Sequence, residues 1–155
     1  MTLELALMEP AEVKATMEVV RRSFDASVAP GYSRQGRELF ARVIDAEYLQ
    51  SLPQRQGFTL VAKLDGRAVG MFAIRDVSHI TLFFVVPEMH GRGIGRKLFA
   101  AGLERICRSE KPPGTLQVHS SPVAVPVYEA LGFSATGPEA VEGGIRFIPM
   151  VRKLD

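Results

Sequence analysis

The stretch Ile80-Thr-Leu-Phe-Phe-Val-Val-Pro-Glu-Met-His-Gly-Arg-Gly-Ile-Gly-Arg-Lys-Leu98 runs an apolar strand into a glycine-rich turn that opens directly into a helix. Gly91, Gly93 and Gly95 have no Cβ, so the backbone can bend tightly and approach a ligand closely. The first amides of the following helix lack acceptors within the helix and point outward. This order of elements predicts an anion site, suited to a phosphate or pyrophosphate.

Two known phosphate loops do not fit this stretch. A P-loop requires Gly-Lys-Ser/Thr, whereas Gly95 is followed by Arg96-Lys97-Leu98, which offers no hydroxyl for Mg²⁺. A dinucleotide fingerprint requires a third glycine where Arg96 stands and an acidic ribose ligand about 20 residues further on, where residues 111–116 hold none. By itself the turn fits a tight strand-to-helix connection without a ligand as well.

A second stretch, Val118-His-Ser-Ser-Pro-Val-Ala-Val-Pro-Val-Tyr-Glu-Ala-Leu-Gly-Phe133, predicts the end of a strand followed by a brief helix. Ser121 can cap this helix, with Pro122 at its first position, and Gly132 ends it. The short helix therefore carries Tyr128.

Together the two stretches resemble the GNAT superfamily of acyl-CoA-dependent N-acetyltransferases. The family's pyrophosphate loop reads Gln/Arg-x-x-Gly-x-Gly/Ala, matched by residues 90–95, although His90 stands at its first position. A later strand and helix of the family end in Tyr-Glu-x-Leu-Gly-Phe, matched by residues 128–133. Both motifs in this order are far more specific than either alone. The close match covers residues 79–133, about a third of the chain.

The resemblance implies acetyl-CoA as the cofactor and coenzyme A as the product. In the family the loop amides hold the pyrophosphate, and the central strand splays from its neighbour with a bulge near Phe84, which frees backbone groups for the pantetheine arm. The apolar run itself equally fits a fully buried strand. The cofactor-binding residues predicted in this way are Phe83, Phe84, Val85, His90, Gly91, Arg92, Gly93, Ile94, Gly95, Arg96 and Ser121.

The resemblance also suggests residues for the chemistry. Tyr128 occupies the family's position for the acid that returns a proton to the departing thiolate; the alternative is an ordinary core aromatic. His79 stands where relatives often carry a glutamate base, and a histidine pKa near 6.5 suits a base at pH 7. The alternative for His79 is a solvated histidine with a water relay as base. His119 could bind substrate or fill a polar gap.

Periodicity and turn signals predict an α+β fold, a GNAT-like, mainly antiparallel central sheet flanked by helices, in a single domain of residues 1–155. Val13, Met17, Val20 and Phe24 form one apolar stripe of the first helix, which core packing explains. Helices are predicted to start at Pro10, Ser33, Ile94 and Ser121. Strands are predicted at residues 2–7, 58–64, 67–74, 79–86, 115–118, 134–142 and 145–154.

Composition narrows the class of protein. A net charge of +2 and a pI near 8.9 without a basic run give no case for nucleic acid or an anionic membrane as partner. No signal peptide or run of eighteen apolar residues is present, and the lone Cys107, expected to be a small buried hydrophobe, suits a reducing cytoplasm. The histidines lie far apart and no His/Cys cluster has zinc spacing, so no metal is expected.

The sequence therefore predicts an acetyl-CoA-dependent N-acetyltransferase in which a primary amine attacks the thioester directly, without a covalent enzyme intermediate. The alternatives are a non-catalytic acyl-CoA-binding or regulatory module and a nucleotide-binding protein. The acceptor, a small-molecule amine or a peptide or protein amine, is not readable from residues 26–56. Oligomeric state stays open, with a homodimer as the form common among relatives.

Overall fold

Strands and helices alternate along the chain in the computed structural model, which describes residues 2–154. The strands are β1 (Leu3–Leu7), β2 (Phe58–Leu64), β3 (Arg67–Arg75), β4 (His79–Val85), β5 (Thr115–Ser120), β6 (Ser134–Ala135), β7 (Ala140–Glu142) and β8 (Ile145–Lys153). The α-helices are α1 (Val13–Ser23), α2 (Arg34–Val43), α3 (Ala46–Ser51), α4 (Ile94–Cys107) and α5 (Val125–Ala130).

The sheet runs in the order β1-β2-β3-β4-β5-β8-β6, and β7 pairs with β8. All of these pairs are antiparallel except β4 with β5, which is parallel. Helix α4 makes the crossover between the two parallel strands, as parallel neighbours require. The predicted mixed, mainly antiparallel sheet flanked by helices is confirmed.

The strands β4 and β5 diverge soon after they meet. Their pairing joins His79 to Gln117 and Ile80 to Val118, and no further pairs continue it in the described residues. From Thr81 onward, β4 therefore has β3 as its only strand partner within residues 2–154. The predicted splay of the central strands is present.

The bulge in β4 lies at Thr81, whereas the family resemblance suggested a position near Phe84. Ala73 of β3 pairs with Leu82 and Ile74 pairs with Ile80, so Thr81 is the extra residue on β4. The Thr81 hydroxyl forms a hydrogen bond with the hydroxyl of Tyr48 on α3. This contact ties the bulge to a helix far away in sequence, and the family resemblance does not predict the bulge at this residue.

The core forms where α4 packs on β2, β3 and β4 and α1 packs on β3 and β4. A Cβ at Gly102 would lie 2.4 Å from Cε1 of Phe72, so glycine allows the helix to sit directly on the buried aromatic ring. Leu98 and Phe72 are fully buried at this contact. The close packing fixes α4, and with it the start of that helix beside β4.

Three local predictions differ from the structure. The predicted strand 134–142 is split into β6 and β7, because residues 136–139 separate them and Pro138 among these has no backbone N–H to donate. Helix α3 was not predicted, although Asp45 caps it by accepting a hydrogen bond from the Tyr48 amide at 2.8 Å. Cys107 ends α4 in an exposed position and is not the buried hydrophobe expected.

Candidate functional site

A cleft of about 590 Å³ opens where β4 and β5 separate. One wall is the free part of β4, residues 81–85, and the glycine-rich turn continues it through residues 89–95. We call this side the loop arm. The other side is formed by the end of α1 and by α2; we call it the aromatic arm. The aromatic arm consists of Ser23, Phe24, Ser27, Val28, Tyr32 and Phe40.

The turn before α4 adopts the conformation that its glycines predict. Gly91 and Gly93 have φ angles of +77° and +79°, in the left-handed region that side chains rarely adopt. No atom lies within 4 Å of a Cβ built at either glycine, so backbone conformation and not crowding explains these residues. Gly93 is the N-cap of the 14-residue helix α4, whose first amides therefore lie at the loop arm.

The members of the predicted cofactor set are not all in the cleft wall. His90, Gly91, Gly93, Ile94 and Gly95 line the loop arm. The side chains of Arg92 and Arg96 are exposed beside it and are not part of the wall. The three apolar residues of β4, Phe83, Phe84 and Val85, all line the cleft as well.

His90 makes a contact that the sequence did not predict. Its Nε2 lies 2.7 Å from the carbonyl oxygen of Val85, so the ring donates a hydrogen bond to the end of β4. The bond ties the first residue of the turn to the last residue of the splayed strand. The Val85 carbonyl was expected to be available to a ligand, and in the structure it already has a donor.

Tyr128 lies on α5 with its ring buried and 7% of the residue exposed. The ring meets Phe83 and Phe133 edge to face, with centroids 6.2 Å and 5.5 Å away. Burial raises the pKa of the Tyr128 hydroxyl above its usual value, so the group keeps its proton at working pH. Tyr128 lines the cleft, and its hydroxyl has no hydrogen-bond partner within residues 2–154. The group is therefore a donor available to a ligand.

Ser121 also lines the cleft, at the start of a 3₁₀ turn, Pro122–Ala124, that precedes α5. Its side chain makes no capping hydrogen bond, contrary to the cap expected from the sequence. The α-helix begins later, at Val125, because the proline turn intervenes. The Ser121 carbonyl accepts a hydrogen bond from the Ser120 hydroxyl at 2.8 Å.

The tertiary fold brings His79 and His119 together, although 40 residues separate them. Their ring centroids are 5.0 Å apart and perpendicular, and His119 stacks on Phe147 at 4.4 Å. His119 lines the cleft, whereas His79 is not part of its wall. The extra residue Thr81 lies between His79 and Phe83, which interrupts the strict alternation that was expected to point His79 at the cleft.

Both histidines are held in the neutral form. Burial, assisted by Arg75 and His119 and opposed by Asp76, lowers the pKa of His79 from 6.5 to about 4. The pKa of His119 is also lowered, by burial and by Arg75, against the opposite effect of Glu142. A base with a pKa near 4 is weaker than the one near 6.5 expected from the sequence. His119 is thus the histidine whose position suits contact with a ligand.

The family resemblance places the loop of residues 29–33 and the following helix, which carry Tyr32 and Phe40, beside the acceptor pocket, but sequence reasoning missed Phe24 as part of the aromatic arm. Phe24 stacks on Phe40 with centroids 3.9 Å apart and planes within 3°, and Tyr32 meets Phe24 edge to face at 5.5 Å. Phe84 of β4 packs against the same cluster. Phe24 was assigned to the core stripe of the first helix, and no local signal marks it as part of a cleft.

Two features hold the aromatic arm in place. After Ser23, the chain continues as a π-helical turn, Phe24–Val28, a conformation often found at functional sites. A Cβ at Gly36 of α2 would lie 2.1 Å from the carbonyl oxygen of Gly144, so glycine lets α2 contact the β7–β8 turn. Ser33 caps α2 by accepting a hydrogen bond from the Gly36 amide at 3.1 Å.

The described residues contain no group of three or more His, Cys, Asp or Glu side chains positioned to hold a metal ion. None of the helices in this part of the chain is long and apolar enough to cross a membrane.

Comparisons with known proteins address the whole chain. Residues 28–154 match a family model described as an acetyltransferase (GNAT) domain. A GCN5-related N-acetyltransferase structure from Rhodopseudomonas palustris is similar, with a TM-score of 0.82 and 24% identity over 99% of this chain and 97% of that chain. The PaiA N-acetyltransferase of Thermoplasma acidophilum, solved with coenzyme A, gives a TM-score of 0.80 and 20% identity over 99% and 100% of the two chains. At these identities the two structures support the fold alone. A search of proteins with curated descriptions found no match.

Proposed function

Since the chain belongs to the GNAT acetyltransferase family, we propose that it binds acetyl-CoA in the cleft and transfers the acetyl group to a primary amine. The observation that carries this proposal is the glycine turn at the mouth of the splayed β4 and β5 strands. It combines outward amides of a long helix with an edge of β4 that has no strand partner beyond Ile80 within residues 2–154.

The residues present suit acetyl-CoA. Left-handed Gly91 and Gly93 and the first amides of α4 offer donors for a pyrophosphate, with exposed Arg92 and Arg96 beside them. The unpaired side of β4 from Thr81 onward offers backbone groups for the pantetheine amides, apart from the Val85 carbonyl that His90 engages. When bound, acetyl-CoA supplies an activated acyl group as a thioester.

The chain's own side chains would manage the protons. The nitrogen of the amine forms a bond to the acyl carbon, the carbon–sulfur bond breaks, and sulfur leaves with the electron pair. Tyr128 is the proposed donor to sulfur, because its hydroxyl lines the cleft and lacks a protein partner in the described structure. Its raised pKa makes it a weaker acid than a free tyrosine. The proton lost by nitrogen passes to water or to His119, which lines the cleft. His79 contacts the His119 ring from outside the cleft wall.

Calorimetry with acetyl-CoA and with ATP, followed by an assay of thiol release with a panel of amines, tests this proposal. We expect acetyl-CoA to bind, ATP not to compete, and thiol release to depend on an amine. Binding without release for any amine would instead support the non-catalytic acyl-CoA-binding module. The homodimer and the cytoplasmic location expected from the sequence stay predictions.

A further inference from the structure

The aromatic arm differs from the amine sites that bind strongly cationic ligands. Among the described residues, those that line the cleft include no Asp, Glu, Lys or Arg. An ammonium group that enters such a site loses hydration without gaining a carboxylate partner, which is costly. A polyamine or an aminoglycoside would carry several such groups.

The charges around the arm do not replace the missing carboxylate. The Arg37 guanidinium donates a hydrogen bond to the Tyr32 carbonyl at 2.8 Å. Arg146 donates to the Gly31 carbonyl at 2.9 Å and lowers the pKa of Tyr32, which burial raises overall. On the other side, Arg75 opposes protonation of His119.

The nearby carboxylates, Glu142 and Glu139 among them, lie outside the cleft wall. Glu142 favours the charged form of His119, although the pKa of that ring is still lowered overall. Glu139 is occupied by an ion pair with Arg146, whose nitrogens lie 3.0 Å from the carboxylate oxygens. No carboxylate of the described residues therefore stands in the cleft wall to pair with an ammonium ligand.

The shape of the arm suits a flat apolar body. Phe24 and Phe40 are stacked on each other and Tyr32 stands edge-on to Phe24, so a ring that enters the arm would meet the remaining aromatic surface of this cluster. Phe84 connects this cluster to β4, where the acyl group is proposed to lie. An aromatic ring bound in the arm would thus bring an amine nitrogen attached to it toward β4.

We propose, on the basis of the acetyl-transfer function above, that the acceptor is a weakly basic aromatic amine, an arylamine in chemical class, which enters the aromatic arm uncharged. Such an amine needs no carboxylate to bind and no base before it attacks. It loses its proton only after the nitrogen–carbon bond has formed, when water or His119 can accept it. An alkylamine with the lysine reference pKa of about 10.4 is neutral in only about one molecule in a few thousand at pH 7.

The test compares amines of equal composition. 4-Ethylaniline and 2-phenylethylamine have the same molecular formula and one ring each, but only the second is a strongly basic alkylamine. We expect kcat/KM at pH 7 to be about tenfold or more higher for 4-ethylaniline, since nearly all of it is neutral. Spermidine and a lysine peptide should be poorer still. A higher kcat/KM for 2-phenylethylamine, spermidine or the peptide would overturn the inference while leaving acetyl transfer itself intact.

A variant pair tests the role of charge in the arm. Ser27 lines the arm in an exposed position, so Ser27→Asp adds a carboxylate without burying it, and Ser27→Asn is the uncharged control of equal size. Ser27→Asp should shift the preference toward 2-phenylethylamine about two- to fivefold relative to Ser27→Asn. Equal preferences in the two variants would overturn the assignment of the amine to this arm. Thiol release with no amine at all, in wild-type protein that binds acetyl-CoA, would overturn the proposed function as well.

Discussion

The loop arm and the aromatic arm face the same cleft, but they present different parts of the chain to it. The loop arm offers backbone, with left-handed glycines, the first amides of α4 and the unpaired edge of β4. The aromatic arm offers side chains, chiefly Phe24, Tyr32 and Phe40. A site built from backbone groups can be read from the sequence, because it requires glycines at a regular spacing. A site built from apolar side chains cannot, because those residues have the same spacing as core residues.

The comparison implies that the two arms can be damaged separately. Changes in the loop arm should act on acetyl-CoA, and changes in the aromatic arm should act on the amine. Tyr128 belongs to neither arm: it lines the cleft beside Phe83, and a change there should affect the reaction between the two ligands and not the binding of either one.

The largest effect is expected for Tyr128→Phe. The ring keeps its packing on Phe83 and Phe133 while the proton donor is lost, so kcat should fall roughly a hundredfold with little change in acetyl-CoA affinity. Steady-state kinetics and calorimetry measure the two quantities. With a thioester whose thiol is more acidic, the fall in kcat should be smaller, because that thiolate can leave without being protonated. Turnover equal to that of wild type would make Tyr128 a structural residue.

Gly93→Val should weaken acetyl-CoA binding by at least about tenfold, or 1.4 kcal/mol. The residue has a positive φ of +79°, which a β-branched side chain adopts poorly, and it lies in the loop arm. Gly66→Val is the matched control, because Gly66 has a φ of +83°, open space around its Cβ and no place in the cleft. Equal acetyl-CoA affinities in these two folded variants would remove the turn from the binding site.

Gly36→Ala should act on the other arm. Its Cβ would meet the Gly144 carbonyl oxygen at 2.1 Å, so α2 must shift and carry Phe40 with it. We expect KM for the amine to rise severalfold while acetyl-CoA affinity, measured by calorimetry, stays unchanged. Gly114→Ala, where no atom lies within 4 Å, controls for the added methyl group. If Gly36→Ala weakened the binding of acetyl-CoA as much as that of the amine, the two arms would not be independent.

The smallest effect on activity is expected for His79, whose neutral ring bears on stability instead. Its pKa is about 4 in the folded protein and 6.5 when exposed, so the unfolded chain binds more protons between these values. The free energy of unfolding should therefore fall as the pH drops from 6.5 to 4. Urea titrations between pH 6.5 and 4 should show that the free energy of unfolding falls less steeply in His79→Gln than in wild type. His119→Gln, which replaces a more exposed ring, should depart less from the wild-type pH dependence. Identical pH dependence in wild type and His79→Gln would contradict the burial of the neutral ring.

The sequence determined the features that depend on local conformation and short-range pattern. Glycines spaced through residues 91–95 predict a tight turn before a helix, and the turn forms with Gly91 and Gly93 in the left-handed region. Alternation and the Asp65-Gly66 turn predict the β2–β3 hairpin, which forms as expected. The run from Tyr128 to Phe133 predicts a short helix with the tyrosine inside it, which is α5.

Only the tertiary structure decided the features built from distant parts of the chain. Phe24 and Phe40 have the spacing of core residues on two separate helices, and they become one wall of a cleft because Gly36 allows α2 to contact the β7–β8 turn. The hydroxyl of Thr81, at the bulge, contacts the hydroxyl of Tyr48 from a separate helix, and burial, assisted by Arg75 and His119, lowers the pKa of His79 and keeps its ring neutral. A side chain's partners and its burial follow from the packing of whole elements, which residue spacing along the chain does not specify.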